Sequence, residues 1–276
     1  MKVKIGFLFI FGLFLFSACS LERKLALDYF KKSHNKGAVL VVQPYSLDLI
    51  NNKEYNFDSL QLAGNFNIDS AIFYRSKILK QVSDSVLLEN YLNAFIKTLT
   101  QIGYQVYLPH ELDSFKIATG PAYIFRFAQV ELSEEKFFYV IDEEIEGIDF
   151  YKAVELNLVK LSSWFEFEAR DTIWNKVFFA ENSVIDELNG QFISDYQKGK
   201  PAFIYRIDSL EMPKVYQMVT NSGKLYASYF TNYLLNNHIK QGFPKGLEPQ
   251  IIFHYDVEGK MLFPYNEGFQ DLSTNK

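Results

Sequence analysis

"VELNLVKLSSWFEFE", residues 154–168, is the stretch on which the fold turns. Val154, Val159, Trp164, Phe165 and Phe167 suit a pleated, half-buried surface, and the run is long for a strand. Its apolar phase changes on the way, from Leu156 and Leu158 on even numbers to Phe165 and Phe167 on odd. A shift of one residue turns every side chain to the other face, so a bulge is expected near Ser162-Ser163. Before it, "PAYIFRFAQVE" (121–131) alternates. Tyr123, Phe125, Phe127 and Gln129 take one face; Ile124, Arg126, Ala128 and Val130 take the other. "KFFYVID" (136–142) reads as a further strand, followed by an acidic turn containing Gly147. Beyond it, Ala169–Thr172 turns the chain into a strand at Ile173–Ala180. These runs predict a meander of antiparallel strands.

Two long helices flank the meander. Ser83, Asp84 and Ser85 offer N-cap side chains. Leu88, Leu92, Phe95, Leu99 and Ile102 then repeat at helical spacing, and Gly103 can take the left-handed conformation that ends a helix. The second helix opens at Pro213 and runs to about Lys240. Its Ser222-Gly223 pair forms a notch expected to press on the sheet, and Gly242 and Pro244 end it. "GAVLVVQP" (37–44), "IDSAIFYRS" (68–76) and "YQVYLP" (104–109) read as strands. Val184–Glu211 shows little pattern beyond a short strand at Ala202–Ile207. Ile251–Tyr255 and Met261–Tyr265 form a hairpin around "VEGK". The expected fold class is α+β: a twisted, mostly antiparallel sheet with two long helices on one face, spanning 37–242. A C-terminal hairpin and tail follow over 243–276.

Composition narrows the function classes. The net charge of −5 is spread along the chain with no basic block, which argues against a nucleic-acid groove. With 27 Phe and 18 Tyr, the chain has either a sheet-rich core or an exposed aromatic surface for lipid, glycan or protein. His34, His110, His238 and His254 form no helical pair, and Cys19 is the only cysteine, so a structural zinc site is not expected. There is no G-x-S-x-G elbow. "TNSGKL" (220–225) lacks the first glycine, the following Ser or Thr, and the preceding strand of a phosphate loop. Asp142, Glu143, Glu144, Glu146 and Asp149 do not follow the spacing of the 12-residue calcium loop and read as a solvated turn. Glu166 and Glu168 share one strand face, whereas glycosidase acids flank a cleft. No catalytic residue, cofactor or metal is expected.

The N-terminus carries the clearest signal. Lys2 and Lys4 precede an apolar run, Ile5–Phe16, and the small residues Ser17-Ala18 lead to Cys19. That order is a secretory signal, and the run is too short to span a bilayer. An ordinary signal peptidase could cut after Ser20, using Ala18 and Ser20 as its small residues, and discard the cysteine. Alternatively, Phe16-Ser17-Ala18-Cys19 resembles the lipobox of bacterial lipoproteins, with Phe16 where leucine is usual. The resemblance implies cleavage before Cys19, a diacylglyceryl thioether on its sulfur and an acylated amine. An unpaired exported thiol is a liability, and lipidation removes it. On this reading 1–18 is the signal peptide, 19–36 is a lipidated tether, and the lipid bilayer is a partner through Cys19. Ser20, with no aspartate there, resembles the signal of lipoproteins passed to the outer membrane. The spacing of Leu21, Leu25 and Tyr29 allows a helix within the tether.

The order strand, strand, helix, antiparallel strands, helix, behind a lipobox, resembles the auxiliary lipoproteins of bacterial ABC-type envelope lipid transporters. The shared elements are the strand ending in Pro44, the helix 85–103, "AYIFRFAQVE" (122–131) and "AVELNLVKLSSWFEF" (153–167), with Trp164 and Phe178-Phe179 in the places of the family's aromatics. The resemblance spans roughly 37–240 and implies a non-enzymatic accessory protein with an envelope protein partner. The residues alone leave two other readings open: a glycan- or peptidoglycan-binding lipoprotein, and an envelope hydrolase with an unseen site. If Tyr123, Phe125, Phe127, Trp164 and Trp174 are not covered by the helices, they form the contact surface; covering is the default.

Overall fold

The computed structural model describes residues 20–31, 36–53, 75–145, 147–170, 175–195 and 200–265. In chain order the elements are α1 (Leu21–Lys31), β1 (Ala38–Val42), β2 (Asp48–Asn51), α2 (Asp84–Ile102), β3 (Gln105–Tyr107), α3 (Leu112–Lys116), β4 (Ala122–Ile145), β5 (Ile148–Ala169), β6 (Asn175–Ile185), β7 (Glu187–Asp195), β8 (Lys200–Asp208), α4 (Met212–Gly242), β9 (Ile252–Asp256) and β10 (Met261–Tyr265). The fold is α+β, with a mixed six-stranded sheet in the order β3-β1-β4-β5-β6 and β2 beside the far part of β4. β4, β5 and β6 are antiparallel neighbours, as the alternation predicts. The meander is not the whole sheet, because β1 runs parallel to both β3 and β4, and β2 runs parallel to β4. The strand expected at 68–76 lies outside the described residues, except for Arg75 and Ser76, which are in no strand.

The predicted bulge exists, but on the neighbouring strand. Pairing between β4 and β5 shifts between Phe127 and Gln129, leaving Ala128 as the extra residue. Phe125 and Phe127 therefore share the core face with Val130 and Leu132, and Gln129 points to solvent. β5 itself runs through Ser162-Ser163 in unbroken register with β6. Val159, Leu161, Phe165 and Phe167 all line the main core, and Ser163 sits among them to accept a 2.9 Å hydrogen bond from the Tyr91 hydroxyl of α2. The apolar phase change has another cause: Val154 and Leu156, on the opposite face, are also buried.

α2 and α4 cover one face of the sheet. Gly103 ends α2 at φ 109° as expected, whereas Ser83 occupies the N-cap position without a side-chain capping bond. Phe95 of α2 lies 4.6 Å from Phe125 between ring centroids, and Phe230 of α4 lies 5.5 Å from the same ring. Such pairs each contribute about 0.5–1.5 kcal/mol beyond area burial. The notch on α4 divides its contacts. Ser222 accepts a 3.1 Å bond from Asn182 of β6, but Gly223 presses on α2, not on the sheet. A Cβ there would fall 2.3 Å from the Tyr91 carbonyl oxygen.

The first and last parts of the described chain, α1 and β9, meet on α4. The helix allowed by Leu21, Leu25 and Tyr29 forms as α1, and it packs on the body: Ala26 is buried with Leu235 and Ile239 of α4 and Phe253 of β9. Residues expected as a tether and as an appended hairpin thus form one satellite core. α1 starts beside the end of α4, where Leu25 lies under Gly242 and Glu22 accepts from the Gln250 amide at 3.3 Å. At the other end of α4, Lys214 pairs with Glu187, and just ahead of it the Leu210 amide donates to Asp186 at 2.6 Å. The 31 residues of α4 separate these ends by about 46 Å at 1.5 Å per residue.

Candidate functional site

Beyond the helices, β4 and β5 continue as a two-stranded ribbon. Lys136–Ile145 pairs with Ile148–Asn157 and extends about 30 Å at 3.2–3.4 Å per residue. A second ribbon, β7–β8, leaves the body next to Asp186. Asp186 binds both sides of that junction, accepting from the Asn157 amide at 2.9 Å and from Leu210. The ribbons touch where Phe150 meets Phe192, 6.2 Å between ring centroids. Gly190 makes room within the second ribbon, since the Phe203 ring would lie 2.5 Å from a Cβ there. An aromatic laid over a strand glycine is one way to hold such a pair together.

These ribbons carry apolar side chains into solvent. Phe138 is 61% exposed, Tyr151 79%, and Tyr139, Val140, Ile148, Ile204 and Tyr205 are also exposed. By the strand register, Phe138, Val140 and Tyr151 share one face of the first ribbon, and Tyr139 and Ile148 lie on the other; exposed apolar side chains grouped on one face mark a contact site. The turn at the tip, with Gly147 at φ 79°, bears the exposed acids Asp142, Glu143, Glu144 and Asp149. Charges at that position discourage edge-to-edge pairing.

The aromatic residues singled out from sequence are placed otherwise. Phe125 and Phe127 are buried in the main core: the helices cover them, as the default reading has it, so the alternative of a contact surface there does not hold, and the bulge at Ala128 keeps both rings inward. Tyr123 is half-buried against that core, and burial raises its hydroxyl pKa. Trp164 lies half-buried on the helix-free face, 4.8 Å from Phe179. Cys19 and Trp174 lie outside the described residues. Glu168, one of the two neighbouring carboxylates, is held by Arg126 at 2.8 Å. The exposed ribbon aromatics do not stand out as a surface in the sequence, because "KFFYVID" has apolar residues on both faces and its pattern does not say which face is covered.

Two polar features lie elsewhere on the fold. α2, α4 and the β9–β10 turn enclose an open groove of about 930 Å³, lined by amide and hydroxyl side chains such as Asn90, Asn93 and Thr220, with Lys97, Lys224 and Tyr255. Glu134, on the core face of β4, is fully buried. It accepts the amides of Lys77, Ile78 and Leu79 at 3.0, 2.9 and 3.2 Å and pairs with Lys53. Burial pushes its pKa up, but Lys53 and the amides outweigh that and leave it below the ordinary carboxylate value. Its contribution to stability is therefore complete above the unfolded-state pKa near 4.5 and disappears as pH falls through the lower folded value. Glu134→Gln is expected to cost about 3 kcal/mol at neutral pH, since it leaves Lys53 without its charge partner. The loss should shrink in urea titrations carried progressively below pH 4.5.

Among the described residues, no three His, Cys, Asp or Glu side chains gather as a metal-binding set, and no helix is long and apolar enough to cross a membrane. No protein-family model matches the chain, and no curated protein matches it in sequence.

Proposed function

We propose that this chain is an envelope lipoprotein, acylated at Cys19 and sorted to the outer membrane, that serves as a non-enzymatic accessory part of an envelope transport or assembly machine. The observation that carries this reading is the pair of ribbons. On the first of them, exposed Phe138, Val140 and Tyr151 share one face and offer a contact surface for a protein partner, remote from the end at which α1 begins. The lipobox resemblance supports the anchor, and the element order supports the kinship with transporter lipoproteins; lipid transport is the machine this kinship favours. The test is capture from gently solubilised membranes. The unaltered protein is expected to retain a defined envelope protein. A Phe138→Asp, Tyr151→Asp double variant should lose at least about tenfold of it, because two desolvated aromatic anchors at about 1–2 kcal/mol each exceed one decade in affinity. Both positions are exposed, so thermal stability should be unchanged.

A second reading is glycan binding, favoured by the groove between α2 and α4. Its amides, hydroxyls and the Tyr255 ring suit a polyhydroxylated ligand. Retention of sacculi or polysaccharide, with no protein captured through the ribbons, would select it.

A further inference from the structure

We propose that one end of the body, made of the start of α1, the last turn of α4 and the loop 243–250, rests on the headgroup layer of the bilayer that holds Cys19. The inference rests on the acylation of Cys19 proposed above and adds an orientation to it. Only Ser20 separates Cys19 from the first residue of α1, a span of at most about 7 Å. A loose tether would let the body drift, but α1 is not loose. Ala26 is fully buried against Leu235, Ile239 and Phe253, Gln250 donates to Glu22, and Leu25 fills the space over Gly242. The acylated residue therefore brings the folded body itself to the lipid surface.

The surface at that end has matching chemistry. Leu21 is 42% exposed and Leu247 63%, side chains that gain by entering the apolar boundary. Arg23, Lys24 and Lys245 are exposed on the same end. Of the acids there, Glu22 is buried and Glu248 is answered by Lys240 at 3.1 Å. The surplus is positive, and each such charge near an anionic membrane is worth about 1 kcal/mol. The ribbons, beyond the opposite end of α4, then point away from this bilayer.

The test uses the lipidated, full-length mature protein in vesicles of phosphatidylcholine and phosphatidylglycerol containing a headgroup nitroxide lipid. With the Cys19 sulfur held as a thioether, a cysteine introduced by Leu247→Cys or by Tyr151→Cys is the sole free thiol and takes a fluorophore selectively. The proposal expects loss of most of the fluorescence at position 247 and none at position 151. Vesicle-bound protein with equal quenching at both, or with position 151 the more quenched, overturns the orientation while leaving the anchor standing. Protein that does not float with vesicles and labels at Cys19 overturns the anchor, and the orientation with it.

Discussion

Gly223→Val is expected to be the most destabilising single substitution in the helix seam, with a melting temperature lowered by roughly 6–12 °C. The two long helices are held so close that a Cβ at this position would sit 2.3 Å from the Tyr91 carbonyl oxygen and 3.1 Å from both the Ala94 Cβ and the Phe95 nitrogen. Two of those three atoms are backbone, so the clash cannot be relieved by a rotamer change; α2 and α4 must separate along their seam. Overpacking alone costs about 1–3 kcal/mol and occasionally more. Opening the seam adds the loss of packing around Tyr91, Phe95 and Tyr226, all buried there. Against a typical stability of about 5–15 kcal/mol, a loss above about 3 kcal/mol lowers the melting temperature by roughly 6–12 °C in a domain of this size. Circular dichroism melts should show it. Gly242→Ala is the control: its Cβ would meet only the flexible methyl end of Leu25, 2.7 Å away, and the expected change is small. Equal melting temperatures for both variants would mean that the helices are not packed as described.

Cys19→Ser is expected to move the protein from the membrane fraction into the soluble one. A single acyl chain gives marginal, reversible binding at about 0.8 kcal/mol per buried methylene, whereas two or more chains anchor a protein stably. The exposed Leu21 and Leu247 and the nearby positive charges are too few to replace them. The change in membrane partition should therefore be close to complete, read by immunoblot of fractions separated by ultracentrifugation. Position 19 precedes α1, the first element of the described fold, and the melting temperature of the released protein is expected to match that of the detergent-solubilised original.

The parts of the fold that were legible in the sequence are those governed by local periodicity. The stripe of Leu92, Phe95, Leu99 and Ile102 with Gly103 behind it located α2. The pattern of Met261–Tyr265 matches β10 to the residue, and that of Ile251–Tyr255 matches β9 but for its first and last residues. What was not legible depends on partners distant in the chain. The apolar phase change of β5 suggests a bulge there, but that change reflects burial of Val154 and Leu156 on the other face; the extra residue, Ala128, lies on β4 and is revealed only by the pairing. That displacement also hid Glu134, which in "SEEKFF" (133–138) reads as a solvated charge. Once the bulge turns even-numbered residues inward, its carboxylate must enter the core and find Lys53 and the amides of 77–79. The ribbons escaped for a related reason. Apolar pattern reports what could be covered, not what is, and nothing in the described fold covers Phe138 or Tyr151.

The most direct measurement is mass spectrometry of the mature N-terminus, purified from membranes in detergent. The account predicts an N-terminal Cys19 bearing a thioether-linked diacylglyceryl group and an amide-linked acyl chain, with nothing before it. An unmodified peptide beginning at Leu21, recovered from the soluble fraction, would contradict it.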